Sequence, residues 1–316
     1  MSRVLLAFVM CVVAVGCASS AQKATTNWVE LRTENLRLRT NLSEREALNL
    51  ARESQQLGSV VIPLFPCAAD HLSDVIDVTV IATDDGSRGS YGAPSTPLLD
   101  LPPRLVVRGR STTVLLRLVV HELAHKLLAT CVPNAPPWLN EGMASYFETS
   151  KIEDGKLRLG FPSYLFVDQV AEGRVTDVAW ASYLGEPIVV FPKRRAPDFD
   201  QLRTMPRSKF YADGLRQTVH YAGAWLAVHM LSLGDLPLQR RFARYLEMLR
   251  GGADPEYAWK VAFAGVDVAA LYRERLAARQ SPWVEQPVEV PPERPPSKRP
   301  MPPAEVAILR AELEDW

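Results

Sequence analysis

The sequence predicts an α+β protein: a mixed β-sheet front that carries one central helix, followed by a mostly helical second part. Three observations lead there. Runs rich in Leu, Val and Ile at residues 28–31, 36–40, 75–82 and 104–107 fall in the first third of the chain and read as strands. Residues 112–130 space their apolar side chains by three and four, the period of a helix packed on one face. Four more helical stretches, at 215–233, 236–250, 254–264 and 268–279, fill most of the second half.

Taken in order, Arg3 precedes an apolar run at residues 4–16. The run is too short for a membrane-spanning helix, which takes roughly twenty residues, and it suits the core of a secretory signal, residues 1–16. Residues 18–27 are small and polar, a tether. In the second strand Leu36 and Leu38 alternate with Arg37 and Arg39. Ser43 and Glu46 then form a capping box that opens a helix running towards Leu57. The Gly, Ser, Asp and Pro of residues 84–97 predict a long loop. Ser111 is the expected N-cap of the 112–130 helix, whose stripe holds Val114, Leu118, His121, His125 and Leu128. Pro136 and Pro137 introduce a helix over 138–149. Residues 151–209 give a mixed pattern with a strand expected at 187–191. One folded domain is expected over 28–281, with a strand-rich part at 28–135 and a helical part at 136–281. A Pro-rich linker over 282–303 and a helix over 304–316 follow, the helix docking back through Val306, Leu309 and Leu313.

Lys plus Arg and Asp plus Glu both number 36 in 316 residues, so no net field draws the chain to nucleic acid. Of 25 prolines, nine lie in residues 282–303, which makes the Pro excess a property of that segment and not a sign of general disorder. Four Cys and five His are the scarce residues.

Ala14-Val15-Gly16-Cys17 resembles the lipobox of bacterial lipoproteins, in which the Cys is acylated and becomes the new amino terminus. Two acyl chains on Cys17 would anchor the protein stably. Ala18 in the next position implies, by the same resemblance, the outer membrane of the envelope. Cleavage after Ala21, giving a soluble secreted or periplasmic protein, is the alternative. Export leaves Cys67 and Cys131 in an oxidising compartment, where they form either a disulfide or two buried thiols.

His121-Glu122-Leu123-Ala124-His125 places two imidazoles one helical turn apart, able to grip one zinc ion per chain, with Glu122 beside them as a general base. A third ligand is needed. Glu141, in Trp138-Leu139-Asn140-Glu141-Gly142, follows with fifteen residues between it and His125. These two helical motifs resemble the gluzincin metallopeptidases, the clan of thermolysin and the aminopeptidase-N-like enzymes, and within it the peptidase-MA-like domains.

The resemblance implies a zincin-like fold, His121, His125 and Glu141 as zinc ligands, and Glu122 as the group that takes a proton from the attacking water and passes it to the leaving amine. It also implies an oxyanion donor downstream, Tyr221 in His220-Tyr221-Ala222-Gly223, with His220 second. His229 and His71 are expected to be structural. No Gly-x-Met-Glu-Asn amine anchor precedes His121, which favours an endopeptidase. Ser145 stands where thermolysin has an Asp that supports a His ligand, so that support is expected elsewhere, with Asn140 and Glu148 as candidates. A strand near 104–107 is the expected edge for an extended peptide substrate. Two alternatives accompany the peptidase: a non-catalytic zinc-binding lipoprotein that meets an envelope partner through its Pro-rich tail, and a zinc amidase acting on cell-wall peptide.

Overall fold

The computed structural model describes residues 28–34, 36–65, 67, 75–83, 88–92, 104–109, 111–160, 197–211, 214–277, 284–292 and 294–313. The export signal, Cys17 and its tether, His71 and the strand expected at 187–191 lie outside the described residues.

The sheet begins with β1 (Val29–Arg32) and β2 (Leu36–Thr40), an antiparallel pair. Helix α1 (Glu44–Val61) follows, and its capping box forms as expected: Ser43 Oγ accepts from the Glu46 amide and the Glu46 carboxylate accepts from the Ser43 amide. The chain returns as β3 (Ile76–Ala82), parallel to β2, then as β4 (Arg88–Gly92) and β5 (Arg104–Gly109). Strand β5 runs parallel to β3 and antiparallel to β4.

Two expectations change here. The segment read as a loop over 84–97 contains β4, because pairing with β5 overrides its weak local preference for extended backbone. The edge expected near 104–107 is therefore interior, and among the described residues β4 is one of the sheet's two edges.

Helix α2 (Thr112–Cys131) crosses this sheet with Leu115, Leu118, Val119, Leu123 and Leu128 in the core beside Leu105 and Val107 of β5. Ser111 precedes it but makes no side-chain cap bond. Helix α3 (Pro137–Glu148) starts on proline, whose missing amide costs nothing in a first turn. Cys67 and Cys131 are joined in a disulfide across 64 residues, which ties the end of α2 to the segment after α1. Closing such a loop stabilises the fold by about 4 kcal/mol on chain entropy.

The mixed region after α3 opens as a hairpin of β6 (Lys151–Glu153) and β7 (Lys156–Leu159). Asp154 and Gly155 between them both have positive φ (50° and 70°), the two-residue turn whose twist matches a hairpin. Short helices α4 (Phe199–Arg203) and α5 (Arg207–Phe210) lead to α6 (Gly214–Leu233). Helices α7 (Leu236–Arg250), α8 (Pro255–Ala262) and α9 (Val268–Ala277) complete the helical half. Trp138 of α3, fully buried, sits at their centre with ring centroids of Phe199, Tyr245 and Trp259 at 5.8, 6.2 and 5.8 Å.

The segment expected as a linker is built into the fold. Within 282–303, β8 (Val284–Pro287) pairs with β7, giving the order β6-β7-β8, and β9 (Ser297–Pro300) pairs with β1. The main sheet thus has the order β4-β5-β3-β2-β1-β9. Proline is tolerated in β9 because an edge strand has amides that need no partner. Helix α10 (Pro303–Leu313) then packs Leu309 and Leu313 on Trp28, Val106 and Met301. Val106 alternates with Leu105 and Val107, so α10 covers the sheet face opposite α2.

Charge fastens β9. Glu30, buried in β1, accepts two hydrogen bonds from Arg299 at 3.0 Å each, one from Arg32 at 2.7 Å and one from Arg39 at 3.2 Å. Burial raises the pKa of this carboxyl, but the bonds from Arg299, Arg32 and Arg39 outweigh it and bring the value from 4.5 down to about 2. A depressed folded-state pKa gives stability that is present above the unfolded value and lost as pH falls through the folded one. Acid titration of the native protein should therefore show stability falling between pH 4.5 and about 2, and E30Q should flatten that part of the curve, as read by urea midpoints across the range.

Candidate metal centre

Helix α2 presents His121, Glu122 and His125 from consecutive turns, and α3 crosses it to bring in Glu141. The Nε2 atoms of His121 and His125 lie 3.6 and 3.5 Å from Glu141 Oε2. His121, His125 and Glu141 offer ligand atoms all within 4.8 Å of one another and could hold a metal ion. Tetrahedral ligands about 2.1 Å from an ion stand about 3.4 Å apart, close to the spacing here. Glu141 Oε2 is buried with no hydrogen-bond partner among the described residues. A buried carboxylate oxygen left without a donor is costly unless a cation meets it.

Each imidazole is oriented from its other nitrogen. His121 Nδ1 lies 2.8 Å from Glu148 Oε2, and His125 Nδ1 lies 3.2 Å from Asn140 Oδ1. Both contacts require Nδ1 to carry the proton, which leaves the Nε2 lone pair free for a metal. The two supports considered from sequence, Asn140 and Glu148, thus both reach a His. Ser145 does not: its hydroxyl is buried without a partner among the described residues.

The electrostatics favour positive charge between the rings. Burial works against a charged His121, but the carboxylates of Glu141 and Glu148 outweigh it and hold its pKa well above the imidazole range. Burial likewise opposes ionised Glu141, and the two imidazoles overcome this, lowering its pKa. Glu122 differs: burial raises its pKa, and the charges of His121 and His125 offset that only in part.

Gly89 of β4 lies over Glu122. A Cβ at position 89 would stand 2.9 Å from Glu122 Cγ, so the edge strand can approach this carboxylate only without a side chain. Strand β4, absent from the sequence reading, thereby becomes one wall of the site.

Tyr211, at the end of α5, was also missed. Its hydroxyl donates to Glu141 Oε1 at 2.7 Å. Burial and the Glu141 carboxylate raise the pKa of this phenol, which keeps its donor proton in place. Tyr221 of α6 is half-buried, with its ring 5.9 Å from Phe210 and 6.4 Å from Tyr211. His220 is buried with Nδ1 2.9 Å from the Phe210 carbonyl, a contact to the backbone of α5. His229 is fully buried beside Trp225, ring centroids 4.8 Å apart. Among the described residues, no helix is long and apolar enough to cross a membrane.

Comparison with protein-family models and with curated proteins finds no match.

Removing an acceptor behind a ligating imidazole typically weakens metal binding by about 10- to 100-fold. Glu148→Ala should show a loss of that size in chelator competition, because His121 then loses the group that fixes its tautomer.

Proposed function

We propose that this chain is a zinc endopeptidase of gluzincin type, held on the bacterial envelope by a lipid on Cys17. The observation that carries the reading is the meeting of His121, His125 and Glu141 around one point with Glu122 next to it. Two neutral imidazoles and one carboxylate, with a fourth position open, are the donor set of a catalytic zinc, whereas structural sites use four protein ligands. Zinc bound there would polarise a carbonyl and lower the pKa of water.

The chain's own residues supply the rest. Glu122 accepts the proton of the attacking water and delivers it to the leaving amine. Its carboxylate is buried under β4, where water is scarce and the proton has few other acceptors. The substrate lies along the outer side of β4, the end of the sheet order, as an added extended strand hydrogen-bonded to its backbone. Tyr221 is the proposed donor to the oxyanion, with His220, whose Nδ1 meets the backbone, as the second choice.

Export and an oxidising compartment are supported by the disulfide between Cys67 and Cys131, since such bonds persist where thiols are not kept reduced. The lipid on Cys17 rests on its sequence context. Cys17→Ser should move the protein from the membrane to the soluble fraction.

The decisive experiment combines metal analysis of the purified protein with digestion of a broad peptide library. One zinc per chain and cleavage of internal peptide bonds are expected. Glu122→Gln should keep the zinc and lose at least about 100-fold in turnover, the scale of a general base. Zinc without cleavage in the unaltered protein would replace the peptidase by a binding module, and preference for cell-wall fragments would replace its substrate.

A further inference from the structure

Hydrogen-bond direction around the third ligand assigns a task to Tyr211. His125 donates from Nδ1 to Asn140 Oδ1. Tyr211 has one proton of its own, and it goes to Glu141 Oε1 at 2.7 Å. Asn140 and Glu141, neighbours on α3, thus receive the donors of His125 and Tyr211.

Glu141 has two oxygens, and they are treated differently. Oε1 is held by Tyr211, while Oε2 has no hydrogen bond among the described residues and faces both imidazoles. A carboxylate not held in this way can swing both oxygens onto a metal, adding a fifth ligand where water or a carbonyl must enter. Tyr211 is itself well held. Its ring lies 5.1 Å from Phe210, stands perpendicular to Tyr221 at 6.4 Å, and has the Arg207 guanidinium 5.0 Å over its face.

We propose that Tyr211 is a positioning residue that makes Glu141 a one-oxygen ligand and so keeps the fourth coordination position open. This role rests on the metal centre proposed above and adds to it a residue outside both helical motifs. It also means that the segment carrying α5 controls coordination geometry without contributing a ligand.

The test is Y211F in the full-length protein, loaded with zinc for affinity and with cobalt(II) for geometry. Chelator competition should show zinc held about 10- to 100-fold more weakly than in the unaltered protein. The visible bands of cobalt(II), strong in four-coordinate and weaker in five-coordinate sites, should lose intensity. A residue that only packed the helices would leave those bands unchanged. Tyr211→4-aminophenylalanine returns a donor at the same place and should restore them. Unchanged affinity and bands in Y211F would overturn the proposal. So would a variant that loses its fold, because the role claimed concerns one carboxylate oxygen. If the unaltered protein binds neither metal, the metal centre fails and the role of Tyr211 with it; binding without a Y211F effect removes Tyr211 alone.

Discussion

Three ligand atoms from two helices meet only if α2 and α3 keep their distance and rotation, and α3 takes both from a backbone contact with α6. Gly142, next to Glu141, is the point of contact. A Cβ there would stand 2.5 Å from the Ala224 carbonyl oxygen and 2.6 Å from Val228 Cγ2. Any side chain at this position pushes α3 off α6 and carries Glu141 away from the two imidazoles. On the other side, Trp138 anchors the start of α3 among Phe199, Tyr245 and Trp259. The helical half of the chain is in this sense the mount of one carboxylate.

The sheet does for Glu122 what the helices do for Glu141. Its edge strand meets α2 through a glycine, which lets backbone lie directly on a carboxylate. Burial then raises the affinity of Glu122 for a proton while its neighbour Glu141 is driven the other way by the imidazoles. Two carboxylates on adjoining helices, Glu122 and Glu141, thus have their proton affinities moved in opposite directions by what surrounds them.

The parts legible in the sequence were those whose pattern is local. The helical period of 112–130, the Ser-x-x-Glu cap and the 236–250 helix need only neighbours within a turn or two, and all are present in the fold. The grouping of His121, His125 and Glu141, which could hold a metal ion, was readable because such a group needs specific residue types at specific spacing. Strand β4 was not, since nothing local makes Arg88–Gly92 extended except its partner β5. The Asp-Gly turn at 154–155 was a local signal that passed unread among mixed neighbours. Tyr211 had no signal at all: one aromatic among nine tyrosines gains its meaning only from the approach of α5 to α3. The tail misled because a proline count says nothing about which edge a strand will find.

Pairing of β1 with β9 joins residues far apart in the chain: Arg299 reaches Glu30 across 269 positions. A chain that emerges amino end first holds β1 with only one of its two partners until β9 has followed. Contacts of such separation are slow to close, because the entropy of the long loop is spent before any pairing is gained. Helix α10, which covers the sheet on its second face, comes later still. The sheet that mounts α2 is therefore finished only after the helical half of the chain has emerged.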